Sequence, residues 1–361
     1  VLESAGEVLA GYTTLKLGGS ARRLVTATDR QEMVQSAREA TKLDEPLLVL
    51  AGGSNVVVAD TGFDGTALLV RSTGLRTDPQ PDGSVLLTAE AGHPWDEVVR
   101  ASLAAGLSGI ECLSGIPGTA GATPIQNVGA YGHEVAEVLQ SVPVYDRVTD
   151  EVFDATAEQC ELGLRTSVFK HSDRYVVLAV TLRLQHSPLS APIQYVELAR
   201  TLGVEVGERV PVVQVREAVL ALRRGKGMVL DPVDPDTCSV GSFFQNPVLD
   251  PDAYALVREA ALARAGTEPP SWTVTPPPRA SGPAGVKVSA AWLIERAGFG
   301  KGYHGGHAGV SVSTKHTLAL TNRGGGTSAA LVGLAREIRD GVRTAFGVTL
   351  EPEAVLVGCQ L

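Results

Sequence analysis

Gly115-Ile116-Pro117-Gly118-Thr119-Ala120-Gly121-Ala122-Thr123-Pro124-Ile125-Gln126-Asn127-Val128-Gly129-Ala130-Tyr131-Gly132 is the stretch that decides how this chain folds and what it can hold. It contains no charged residue, and its apolar positions follow no helical period. Glycine lets the backbone come close to a ligand and turn its N–H groups towards it, and threonine adds neutral donors. Such a loop can wrap a diphosphate and keep an apolar ring system dry. The residues alone equally allow a structural crossover loop.

A second glycine run, Gly52-Gly53-Ser54-Asn55, lies between two short apolar segments at 47–51 and 56–59 that read as strands. Around these loops the pattern alternates. A helix is expected over 28–42, with Thr28 and Gln31 as a capping-box start. Another fits 94–105, with Pro94 near its first position and Gly106 as its stop. Strands resume at 175–184. After a proline-containing linker at 187–192, a helix is expected over 212–224 on the spacing of Val215, Ala218, Val219 and Leu222. A further proline-rich break at 231–236 precedes a helix-dominated end. Helices are expected there at 252–264, 288–297 and 327–346, strands at 316–321 and 354–357, and a surface loop at 276–278. The chain reads as a mixed α+β nucleotide-binding half followed by a smaller α/β half.

Composition narrows the function classes. The 361 residues are 44% hydrophobic and 20% charged, as in ordinary globular proteins, with 40 glycines. Forty acidic residues against 31 basic ones give a net charge of −9, without the basic footprint that nucleic-acid binding needs. Cys112, Cys160, Cys238 and Cys359 are far apart, which suits neither a zinc site nor a disulfide framework. They read as reduced, mostly buried thiols. No apolar run is long enough to span a membrane, and no basic segment precedes an apolar one at the start, so a cytoplasmic protein without a signal peptide is expected. Gly300-Lys301-Gly302-Tyr303-His304-Gly305 satisfies the dinucleotide spacing GxGxxG, but it follows a helix instead of a strand. It reads as a loop. His304, His307 and His316 lie in a glycine-rich run without ligand spacing, so no metal is expected.

The long loop closely resembles the GIPGxxGxxPIQNxGAYG signature of the UDP-N-acetylmuramate dehydrogenases, also called UDP-N-acetylenolpyruvoylglucosamine reductases. The run 52–55 resembles that family's GGGSN loop, with Ala51 in place of the first glycine. Thr14-Leu15-Lys16-Leu17-Gly18-Gly19 is similar to its N-terminal segment. Leu164-Arg165-Thr166-Ser167-Val168-Phe169-Lys170, Gly241-Ser242-Phe243-Phe244-Gln245-Asn246-Pro247, Ala291-Trp292-Leu293-Ile294-Glu295 and Leu350-Glu351-Pro352-Glu353 follow in order. The resemblance implies an α+β fold with two FAD-binding subdomains of the vanillyl-alcohol-oxidase type, at 1–62 (joined by a last strand within 354–361) and 63–227. A substrate-binding α/β subdomain at 228–353 completes it. It implies non-covalent FAD, electrons from NADPH, and reduction of an enolpyruvyl ether on a UDP-sugar in peptidoglycan precursor synthesis.

Residue roles follow from the same resemblance. FAD contacts are expected from Gly52, Gly53, Ser54 and Asn55. On the long loop they are expected from Ile116, Pro117, Gly118, Thr119, Gly121, Ala122, Pro124, Gln126, Asn127, Gly129, Ala130 and Tyr131. Arg165 suits enolate stabilisation, because a guanidinium binds carboxylate bidentately and keeps its proton. By itself it would read as a surface ion pair. Ser242 is expected as the proton donor, where a lone Ser otherwise reads as a turn residue. Glu353, rather than Glu351, is expected as the acid at the start of the last strand; either would otherwise be a solvated strand end. Tyr195, Lys226 and Asn246 are expected to bind the UDP-sugar, Tyr195 as a mobile aromatic that closes over it. Lys226 also reads as a helix-end cation.

Two positions depart from the family pattern. Leu164 stands where many members carry tyrosine, and Val355 where some carry arginine. A monomer is expected. Two other readings remain open at this point: a flavin oxidase of the same fold, although neither glycine loop carries the His or Cys that tethers flavin in such enzymes, and a non-catalytic UDP-sugar binder.

Overall fold

The computed structural model describes residues 2–274 and 285–361, so the loop expected at 276–278 lies outside it. By contacts the chain forms two compact units: Val1–Glu7, Ala21–Gly53 and Phe63–Val229 make the first, and Val8–Ser20, Ser54–Gly62 and Leu230–Leu361 the second. The short segments 8–20 and 54–62, inside the expected first subdomain, thus belong with the C-terminal unit. The change of unit falls within the first glycine run, between Gly53 and Ser54.

In the first unit, Leu47–Leu50, Phe63–Val70 and Ala21–Ala27 are parallel neighbours, with Leu2–Ala5 antiparallel at the edge. The central strand buries Ala67, Leu68, Leu69 and Val70 in succession, the pattern of a strand covered on both faces. Helix Arg30–Lys42 lays Met33, Ala37 and Ala40 into the core with Val25 and Leu68. Its start corrects the expected cap by one residue. Asp29 accepts the Glu32 N–H at 2.8 Å, and the Glu32 carboxylate reaches back to Thr28, taking its N–H at 2.8 Å and its hydroxyl at 2.9 Å. Aspartate caps as well as threonine and adds a negative charge at the positive end of the helix.

A larger antiparallel sheet runs in the order Glu151–Thr156, Leu139–Asp146, Ala179–His186, Ser84–Glu90 and Leu75–Pro79. Helix Trp95–Ala104 packs Trp95, Val98 and Val99 with Leu87 and Leu182 from that sheet. Helices Val196–Leu202 and Val212–Gly225 share a smaller core with Cys112 and Ile193.

The second unit is built on helix Ser328–Phe346. Leu331, Leu334, Ala335, Ile338 and Val342, at helical spacing, are fully buried against Leu293 and Ile294. Around it are the antiparallel set Ser239–Ser242, Ala319–Asn322 and Val310–Val312 and a second set of Val248–Leu249, Gly285–Val288 and Ser271–Val274. Val56–Val58 lies parallel to Val355–Val357. The helix expected over 288–297 forms as Ala290–Arg296, capped by Ser289, because 285–288 pairs with strands on both sides. The expected strand start at Glu353 is also corrected. Glu353 lies in a bend before Val355–Val357, since its N–H is drawn to the Phe243 carbonyl at 2.7 Å. Among the described residues no helix is long and apolar enough to cross a membrane.

Replacing Asp29 by Ala should lower stability by about 1 kcal/mol in urea unfolding, whereas Gln31→Ala should change it by no more than a few tenths. Equal effects would put the cap elsewhere.

Candidate functional site

The long loop of the first unit is pinned at its start by charge. Asp96, one residue into helix Trp95–Ala104, accepts the Gly115 N–H at 2.6 Å and is gripped by both terminal nitrogens of Arg216 at 2.7 Å. Backbone bonds continue the attachment: Trp95 N–H to Gly118 O at 3.0 Å, Ala120 N–H to His93 O and Gly121 N–H to Ala91 O at 2.9 Å. Gly52 then meets Gly118 backbone to backbone; a Cβ on Gly52 would lie 2.7 Å from the Gly118 Cα. Two glycine runs far apart in sequence are thereby pressed into one cradle within the first unit. On it, the Thr119 hydroxyl is buried and has no hydrogen-bond partner among the described residues.

The far end of the loop turns through left-handed backbone at Asn127 (φ +46°) and Tyr131 (φ +52°). Asn127 was expected to contact FAD, but its carboxamide is engaged internally. It donates to Glu134 at 2.7 Å and the Gly163 carbonyl at 3.1 Å, and accepts the Ala136 N–H at 3.0 Å. Arg165, itself at φ +55°, donates to the carbonyls of Asn127 at 3.1 Å and Gly129 at 2.9 Å. Lys170 holds the Arg165 carbonyl at 3.0 Å. A Cβ on Gly129 would come 3.2 Å from the Arg165 guanidinium, so glycine is what lets that cation lie flat against the loop. Arg165 is therefore a three-quarters-buried cation, held by the two carbonyls and paired with Glu134 at 3.9 Å.

Tyr131 and Tyr195 meet edge to face with ring centres 5.6 Å apart. Burial pushes the Tyr131 hydroxyl up to about 12. Lys226 follows helix Val212–Gly225, bonds Glu197 at 2.6 Å and lies 6.0 Å from the Tyr131 ring centre. Arg223, three residues earlier, is buried with its Nε unpartnered, and burial pushes its pKa down.

The second unit brings Ser242, Glu353 and Asn55 together. Gly241, at φ +73°, turns the chain into Ser242, which is followed by the fully buried pair Phe243 and Phe244. Glu353 N–H donates to the Phe243 carbonyl at 2.7 Å. Asn55 donates to the Glu353 carbonyl at 3.3 Å, and its own carbonyl accepts from Val355 at 3.0 Å. Asn246 accepts the Ala290 N–H at 2.9 Å through its side-chain oxygen. His307 bonds Glu337 at 3.0 Å, as does Tyr303 at 2.6 Å. Among the described residues no group of three His, Cys, Asp or Glu could hold a metal.

Sequence reasoning missed Glu134, which orients Asn127, Asp96, which fixes the loop start, and Arg223. Arg223 could have been suspected from its place three residues before Lys226; the others carry no local signal.

Gly52 and Gly118 touch backbone to backbone, and beside them lies the buried Thr119 hydroxyl, unpartnered among the described residues. The fold and this cradle define a flavin-binding oxidoreductase with a separate C-terminal unit. An FAD-binding-domain family model matches residues 21–155, and the model for the C-terminal domain of UDP-N-acetylenolpyruvoylglucosamine reductase matches 231–357. The chain is 58% identical to the reductase of that name from Salinispora arenicola, over 98% of this chain and 95% of that one. It is 55% identical to that of Saccharopolyspora erythraea, over 99% and 96%. A crystal structure of the reductase from Thermus caldophilus superimposes with a TM-score of 0.65 at 22% identity, covering 99% of this chain and 98% of that one. The chain belongs to the UDP-N-acetylenolpyruvoylglucosamine reductase family, and FAD is its cofactor.

Thr119→Val removes the orphaned hydroxyl at nearly constant shape. It should stabilise the flavin-free protein slightly and weaken FAD binding by about tenfold, read by flavin titration. Unchanged FAD affinity would take Thr119 out of the cradle.

Proposed function

We propose that the chain reduces the enolpyruvyl ether of UDP-N-acetylglucosamine to UDP-N-acetylmuramate with electrons from NADPH, as a cytoplasmic monomer in peptidoglycan precursor synthesis. What carries the reading is the Arg165 cation fixed on the cradle of a family of reductases. FAD, when bound, would supply a hydride (two electrons and one hydrogen, drawn from NADPH) to one carbon of the double bond.

The protein supplies everything else. As the vinyl carboxylate is reduced, negative charge builds on its oxygens, and Arg165 is already oriented to receive it without reorganising. Ser242 Oγ gives its proton to the substrate carbon, a task a hydroxyl performs only towards a strongly basic enolate. The Glu353 carboxyl hydrogen-bonds the developing enol. Ile116, Pro117, Gly121, Ala122, Pro124, Gln126 and Ala130 complete the flavin loop with Thr119 and the Gly52–Asn55 run. Lys226 exchanges Glu197 for the diphosphate, Asn246 offers its amide N–H groups, and Tyr195 closes over the sugar nucleotide. The expected subdomains at 1–62, 63–227 and 228–353 remain part of this reading.

The visible spectrum tests both half-reactions in one anaerobic cuvette. The flavin band should bleach with NADPH and return with the enolpyruvyl-UDP-sugar. Ser242→Ala should still bleach but turn over about 10²- to 10⁴-fold more slowly. A band that returns only with oxygen would favour an oxidase. Sugar binding without any turnover in the wild type would favour the binder.

A further inference from the structure

The end of the flavin loop and the segment carrying Tyr195 are clasped at consecutive residues. The Tyr131 ring meets the Tyr195 ring at 5.6 Å. Gly132 packs so closely on Gln194 that a Cβ would lie 2.8 Å from the Gln194 Cβ. His133, 3% exposed, then places Nε2 2.9 Å from the Pro192 carbonyl and Nδ1 2.7 Å from the Glu137 carboxylate. Beside it the buried Glu111 accepts the Ala191 N–H at 2.6 Å and the Gly109 N–H at 2.7 Å.

Both ring nitrogens of His133 thus face atoms that only accept. A neutral imidazole has one N–H and would turn a lone pair onto an oxygen at the other side, where burial leaves no water to intervene. The geometry therefore calls for the imidazolium. We propose that His133 is a positioning residue for the UDP-sugar site: its imidazolium, bridging Glu137 and the Pro192 carbonyl, fixes the segment that carries Tyr195. This rests on the reading of Tyr195 as a UDP-sugar contact.

The surroundings support that charge. Glu137 from the same turn and Glu111 from the neighbouring one face the ring, and burial keeps the thiol of Cys112 protonated. Burial pushes the imidazole pKa down, but the Glu137 hydrogen bond and charge, the Pro192 carbonyl and Glu111 outweigh it and hold it above the ordinary histidine value. The sign follows. The clasp is complete below the ordinary value of about 6.5 and is lost as pH rises through the raised one.

The test is His133→Gln, whose amide cannot donate on both sides of the ring's position. Its KM for the enolpyruvyl-UDP-sugar should rise about tenfold, with flavin reduction by NADPH unchanged. The wild type should show KM climbing at alkaline pH, and the variant should lack that climb. In a Tyr195→Ala background the same substitution should add nothing. An equal effect there would mean general loosening and overturn the proposal. Histidine ¹⁵N spectra of the wild type decide the charge without any variant: both His133 nitrogens protonated at pH 7 supports it, and a neutral ring overturns it. If the wild type does not turn over the UDP-sugar, the functional reading fails instead. The positioning claim is then judged on hydrogen exchange at residues 193–199, which should quicken in His133→Gln.

Discussion

One of the carbonyls that Arg165 grips is placed by a buried carboxamide, that of Asn127. This side chain, 1% exposed, sits on a residue in the left-handed region and turns the long loop back on itself. Its bonds to Glu134, Gly163 and Ala136 fix the carbonyl that Arg165 grips. Asparagine is among the few residues with a side chain that visit this conformation readily. An apolar replacement would leave a carboxylate, a carbonyl and an N–H without their partner, at about 1–3 kcal/mol each where buried. The Arg165 cation is thus oriented in part through the loop's own folding.

That arrangement shows how far the sequence could be read. The close approach of the two glycine runs was legible in their composition, and Gly52 against Gly118 is its physical form. The internal bonds of the Asn127 carboxamide were not legible, since a carboxamide can face a ligand or the protein with equal chemistry. Helix Ser328–Phe346 could be read almost residue for residue because five apolar positions at helical spacing leave no other face to bury. The cap at Asp29 was missed by one position, where Thr28 and Asp29 are both good caps and only the reach of Glu32 decides. Glu353 was placed in a strand that begins two residues later, because its backbone pairs with Phe243, more than a hundred positions away.

What stayed hidden was mostly charge pairing across distance. Asp96 and Arg216 are 120 positions apart, and neither stands out among 71 charged residues. Local patterns report which face of an element is apolar. They do not report which carboxylate a guanidinium will find once the chain has folded, and the start of the flavin loop depends on that choice.

Arg223 and Lys226 illustrate the consequence. Lys226 and Glu197 are both partly exposed, and an ion pair of that kind contributes about 0–1 kcal/mol. Lys226 is therefore released from Glu197 at little cost. Arg223 is nearly enclosed and, among the described residues, donates to the Met228 carbonyl and has no carboxylate at hydrogen-bond distance. Moving it would expose a desolvated cation to a new environment. One turn of chain thus supplies a fixed positive charge and an exchangeable one. The difference between them lies in burial, which a spacing of three residues in sequence does not reveal.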